Sequence, residues 1–161
     1  MGIIFIFLGA LFGIIIGKSY SDKIYKSKII TISRISDKNL EMFLLMNRWI
    51  QNEWKGKKIA DYLAEKRIYR VIIYGMGYMG KNLYEQLINE KIEILYLIDR
   101  DKNVLIEGKE VKCINDRLDG KLNIVDAIIV TAIYDFEEIE EELKLKFNKP
   151  VISLSDIIYK M

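Results

Sequence analysis

The 161-residue sequence contains no histidine, so it is without the side chain most often used as a general base and metal ligand near neutral pH. A Ser-His-Asp triad, a Cys-His pair and a histidine-bearing zinc site are therefore excluded. Its one cysteine, Cys113, cannot close an intrachain disulfide, which fits a reducing compartment. Excess charge is scarce as well: 25 Lys and Arg stand against 23 Asp and Glu, a net +2 with the two signs interleaved. Nucleic acid is not expected as the main partner. No paired carboxylates, no lysine and tyrosine at helical spacing in a crevice and no metal-ligand cluster nominate a catalytic centre. With the N-terminal part set aside, the chain holds one globular domain of roughly 100 residues and leaves no space for a separate substrate domain.

What is present begins with an apolar stretch. Met1 to Gly17 carries no charged side chain and is mostly Ile, Leu, Phe and Gly, bounded abruptly by Lys18. As a helix it is about 25 Å long, the short end of a membrane span, and Lys18 and Tyr20 extend it by reaching the interface. The spacing predicts a transmembrane helix over 1–18. Lys18, Lys23, Lys26, Lys28 and Arg34 all follow it, which by the positive-inside bias sets a single-pass cell-membrane protein with its N-terminus outside and its C-terminal domain cytoplasmic. Gly9, Gly13 and Gly17 fall four apart, a small-residue face through which two copies would form a homodimer. Residues 19–38 read as a basic juxtamembrane stalk. From Asn39 to Trp54 the apolar positions Leu40, Phe43, Leu44, Met46, Trp49 and Ile50 describe an amphipathic helix, with Trp49 and Trp54 expected to cover the following domain. Gly56 ends or bends it, and Lys58 to Lys66 reads as a short helix, so that 39–68 forms a helical brace.

The organising stretch lies in the remaining segment, 69–161. Val71 to Tyr74 are β-favouring, Gly75-Met76-Gly77-Tyr78-Met79-Gly80 follows G-x-G-x-x-G, and Asn82 to Ile88 has helical spacing. In a strand-turn-helix unit of this kind the first glycine allows the sharp turn. The second leaves a phosphate unobstructed, and the third lets the helix lie close on its strand. A second apolar run, Ile92 to Ile98, ends at Asp99, nineteen positions after Gly80, where a dinucleotide fold places the carboxylate that accepts a ribose hydroxyl. The neighbouring Arg100 and Lys102 would instead favour a 2′-phosphate. Tyr78, Met79, Ile133 and Tyr134 are expected to line the crevice. The overlapping pattern Gly75-x-x-x-x-Gly80-Lys81-Asn82 approaches a phosphate-binding loop of the G-K-[ST] type, but Asn82 lacks the hydroxyl that would ligate magnesium.

Further along, Gly108 to Ile114 suggests a small strand and Asp126 to Thr131 a buried one. Asp135 with Glu138 resembles a capping box, and Phe136, Ile139, Leu143 and Phe147 give a helix its core face. The glutamates from Glu137 to Glu142 suit a helix start without any function. Val151 to Leu154 forms a last strand, and Ser155 caps a terminal helix. Strands alternating with helices predict an α/β, Rossmann-like open, mostly parallel sheet with flanking helices, preceded by the transmembrane and amphipathic helices.

The run from Ile73 to Gly80, the Ile98-Asp99 strand end, the Asp126 to Val130 strand and the closing Val151 to Ile158 resemble the small Rossmann-type domains of bacterial envelope-polysaccharide and glycan pathways. Such domains accompany sugar acetyltransferases, nucleotide-sugar epimerases and dehydratases, and glycosyltransferases. The resemblance covers roughly residues 39–161 and implies NAD or a nucleotide-sugar at Gly75, Gly77, Tyr78, Met79, Gly80, Asp99 and Arg100, with no metal. The enzymes' catalytic domain and any Tyr-x-x-x-Lys in the corresponding place are missing. The resulting expectation is a membrane-anchored, nucleotide or nucleotide-sugar binding accessory of envelope glycan enzymes. Two alternatives stay open: a non-catalytic interaction scaffold with an empty site, and a small NAD-dependent oxidoreductase active as an oligomer. Protease added outside intact cells should spare the C-terminal domain, and its digestion there would overturn the topology.

Overall fold

The computed structural model describes residues 2–101, 103–104, 106, 108–118 and 120–161, and for residues 2–16 and 19 the backbone alone. Helix α1 runs over Gly2–Trp54, α2 over Ile59–Glu65, and the sheet follows: β1 Arg70–Tyr74, α3 Tyr78–Leu87, β2 Glu93–Asp99, β3 Val111–Cys113, β4 Ala127–Val130, α4 Phe136–Phe147, β5 Val151–Ser153 and α5 Leu154–Lys160. A short 3-10 turn over Gly120–Ile124 precedes β4, and another over Ile133–Asp135 leads into α4. The chain divides into two compact units at Glu41 and Met42.

The first unit consists of α1 residues. Helix α1 includes the boundaries expected after residues 18 and 38. No proline falls within it, the sole proline being Pro150, so nothing removes a helical N–H or clashes with the preceding turn. Among the described residues no helix is long and apolar enough to cross a membrane. Residues 1–16 of the span expected over 1–18, Gly9 and Gly13 among them, lie outside the residues whose side chains are described.

In the second unit all five strands are parallel and ordered β3-β2-β1-β4-β5. This α/β arrangement is compatible with a Rossmann-like fold, and the small strand suggested within Gly108 to Ile114 is present as β3. Parallel strands covered on both faces are apolar along their whole length, and Val71 to Tyr74 and Ala127 to Val130 are all buried. Alternation divides them between two cores. Val71, Ile73 and Ile129 pack with α1, α2, α3 and α5, while Ile72, Tyr74, Ile128 and Val130 pack with Ile139, Leu143 and Phe147 of α4.

The end of α1 braces the first core by a different face from the expected one. Leu45, Trp49 and Asn52 are buried, whereas Leu40, Phe43, Leu44 and Ile50 are exposed. Trp54 is 82% exposed, because five residues beyond Trp49 turn it about 140° around the helix. Asn52 fixes the choice of face: its Nδ2 donates to the Ile158 carbonyl at 2.7 Å, inside the core. A turn with Gly56 at φ +73° then closes the helix. The terminal cap also differs from expectation. Ser153, not Ser155, is the N-cap of α5, and its side chain accepts from the Ser155 N–H. At α4 the Asp135 side chain makes no capping bond, since a 3-10 turn runs directly into the helix. The helix ends at Asn148 in the left-handed conformation, two residues before Pro150.

At the opposite edge of β1 and β4 from the glycine loop, Asp126 ties the two strand starts. Its carboxylate accepts from the N–H groups of Tyr69 and Arg70 at 3.0 and 2.9 Å and from Arg70 Nη2 at 2.9 Å. Burial alone pushes this carboxyl up, but the Arg70 side chain and the two N–H groups outweigh it and hold it below the ordinary carboxylate value. A lowered folded-state value adds stability that is complete above the unfolded value, about pH 4, and is lost as pH falls through the folded one. We expect Asp126→Asn to lower unfolding stability at pH 7 by about 2 kcal/mol. Urea titrations at pH 7 and pH 3 should show the wild type losing more stability on acidification than the variant; parallel losses would count against this role.

Candidate functional site

The sheet changes direction of winding between β1 and β4, and in open parallel sheets the crevice at the C-terminal ends of such strands is where ligands bind. The loop leaving β1 occupies that place. Gly75 takes φ +94°, a conformation side chains rarely adopt, and a Cβ on it would lie 2.8 Å from Thr131 Oγ1. A Cβ on Gly80 would overlap the Gly75 carbonyl oxygen and come within 3.2 Å of Thr131 Oγ1. Both glycines are thus required by the protein's own packing, in the manner expected of a tight turn and a close helix.

Gly77 is different. As the N-cap of α3 it takes φ −69°, ordinary for any residue, and a Cβ there would meet nothing within 4 Å. Neither strain nor crowding calls for glycine at this position. Its carbonyl accepts the first helical bond, from the Lys81 N–H at 3.0 Å. The N–H groups of the first turn have no intrahelical acceptor and carry the positive end of the helix dipole.

Of the other expected site residues, Asp99 comes to the loop. Its Oδ2 accepts from the Met76 N–H at 2.5 Å and its Oδ1 from the Asp101 N–H at 2.9 Å. Tyr78 is 82% exposed at the helix start. Met79 does not line the crevice, because with Leu83 and Leu87 it shares the inward face of α3 and is buried in the first core. Ile133 packs against the same core.

Lys102 lies outside the described residues, and Arg100 turns to the face covered by α4. Its Nη2 lies 3.2 Å from Glu138 and 3.6 Å from Glu142, so two of the glutamates that suited a helix start also hold a cation. Beneath it lies the Tyr74 hydroxyl, buried and, among the described residues, without a partner in hydrogen-bond geometry. Burial pushes this hydroxyl's pKa up, an effect that the adjacent guanidinium partly offsets. Asn82, where a phosphate-binding loop of the other type carries its magnesium ligand, faces Met46 Sδ at 3.7 Å. Among the described residues no group of acidic or cysteine side chains is placed to hold a metal ion. Two cavities, of about 600 Å³ beside Lys57, Asp61 and Tyr62 and about 430 Å³ beside Ile88, Ile94 and Lys121, lie away from the loop.

Thr131 is the residue sequence reasoning missed. It is 5% exposed and its hydroxyl donates to the Gly75 carbonyl and approaches that of Tyr74 at 3.3 Å. The available signal was a lone hydroxyl closing the apolar run Ile128-Ile129-Val130.

The second unit is thus an α/β domain with an all-parallel sheet and a glycine turn at its switch point. The chain belongs to the C2185-like, N-terminal family, whose model matches residues 67–150, just over half of the sequence. No curated protein matches it. Replacing each glycine should separate the three roles. Gly80→Ala should cost about 3 kcal/mol of stability, Gly75→Ala a similar amount from strain and crowding, and Gly77→Ser less than about 0.5 kcal/mol because serine is a good N-cap. Urea midpoints decide it, and a large loss at Gly77 would contradict the open geometry.

Proposed function

We propose that residues 69–161 form a Rossmann-like nucleotide-binding domain in which a diphosphate lies over Gly77 and the first amides of α3. The observation that carries this reading is Gly77 itself, an open helix start where neither a positive φ nor a neighbouring atom demands the missing side chain. A phosphate approaching the backbone at that point would account for it. Asp99 keeps unused lone pairs after its two backbone bonds, since a carboxylate offers about four acceptor sites, and these remain for a ribose. NAD or a nucleotide-sugar is the ligand class. From the sequence resemblance we infer an accessory of envelope glycan enzymes, held at the membrane by an anchor over 1–18 with its C-terminal domain cytoplasmic. Tethering would raise the local concentration of the module beside membrane-bound enzymes without any new contact.

A second reading, an interaction scaffold with an empty site, draws on the engagement of Asp99 by the loop and of Arg100 by Glu138 and Glu142. Thermal unfolding of the full-length chain in detergent micelles with NAD, NADP, a UDP-sugar or coenzyme A separates the two. A ligand at ~100 times its Kd should add ~2.7 kcal/mol. Gly77→Asp places an N-cap carboxylate on the same amides, so it should keep the fold and remove the shift. A shift that survives Gly77→Asp would refute the placement, and no shift with any of the four would leave the scaffold reading.

A further inference from the structure

One peptide unit of the glycine loop is held at both ends. Its carbonyl oxygen, on Gly75, accepts from the Thr131 hydroxyl at the end of β4, and its N–H, on Met76, donates to Asp99 Oδ2 at the end of β2. No cis peptide bond occurs among the described residues, and a trans unit points its C=O and N–H in opposite directions. The Gly75–Met76 unit is therefore a crossbar spanning the two strands that flank β1. Thr131 is itself fixed, with its N–H donating to the Tyr74 carbonyl at 2.9 Å. Its hydroxyl sits in the notch where the strand end, the loop and the start of α3 meet.

Orienting one peptide plane constrains the dihedral angles on either side of it, and so the aim of the amides that follow. We propose that Thr131 is a positioning residue. Its hydroxyl holds the Gly75 carbonyl inward, so that the loop presents the amides after Met76 to the crevice, with Asp99 as the opposing pin. Asp99 then acts on the loop before any ribose arrives. The part of this inference that concerns a ligand rests on the nucleotide reading above; the crossbar does not.

The variants are Thr131→Val, which keeps the β-branched shape and removes the donor, and Thr131→Ser, which keeps the donor. In the full-length chain in micelles, amide hydrogen exchange at Met76 should be about tenfold faster in Thr131→Val, the loss of one hydrogen bond, with Ile73 in β1 unchanged. Affinity for ADP, used as the diphosphate probe, should fall about tenfold in the same variant. Thr131→Ser should stay within about threefold of wild type in both. The proposal is overturned if Met76 exchange is unaffected by Thr131→Val, if Ile73 accelerates equally, or if Thr131→Ser does as much damage as Thr131→Val. It is also overturned if wild type binds ADP and Thr131→Val binds it equally well. A wild type that ignores ADP but shows the selective exchange effect would sink the nucleotide reading and uphold the crossbar.

Discussion

The contact between the backbones of Gly75 and Gly80 is the constraint on which the glycine-loop end of the domain depends. With any side chain at position 80, α3 would have to move off the end of β1, because the added carbon would overlap the Gly75 carbonyl oxygen. Bringing helix and strand this close aligns the first turn of α3 beside the switch point between β1 and β4 and lets Thr131 reach the Gly75 carbonyl. Two of the loop's three glycines are thereby accounted for by internal packing, while Gly77, the N-cap of α3, stands in open space.

Around that contact the domain is built as two apolar layers on one sheet. The alternation of β1 and β4 side chains between the α3 face and the α4 face makes each central strand a partner in both cores. Polar ties are few and each has a job at a junction: Asn52 joins the end of α1 to α5, Asp126 joins the starts of β1 and β4, and Thr131 joins β4 to the loop. Buried polar groups are tolerated when hydrogen-bonded, and they then select one arrangement among several of similar apolar burial. Such selection is needed at α1, where apolar residues on several sides would allow more than one packing face.

The charges near the crevice are arranged to neutralise one another. Arg100, just past the end of β2, is shared by Glu138 and Glu142, one turn apart on α4, so the acidic run does more than complement a helix dipole. These exposed pairs contribute little to stability individually. Their effect is on position, since they draw Arg100 to the α4 side of the sheet and leave the glycine loop to backbone amides and Asp99.

From the residues alone, the existence, type and order of the main elements were legible, because their signals are local: β-favouring runs at Val71, Ile94 and Ala127, glycines at turn spacing, and the inward face Ile139, Leu143 and Phe147 of α4. The helix-strand-loop order around Gly75 to Asp99 was legible for the same reason. Four matters depended on contacts between residues far apart in sequence and were decided only by the tertiary structure. These are which face of the α1 end is buried, that Trp54 and Tyr78 stay exposed while Met79 enters the core, that Arg100 goes to Glu138, and that Thr131 pins the loop. A periodic pattern tells which residues can share a face. Only packing, by the space it leaves and the hydrogen bonds it completes, selects the face that is used.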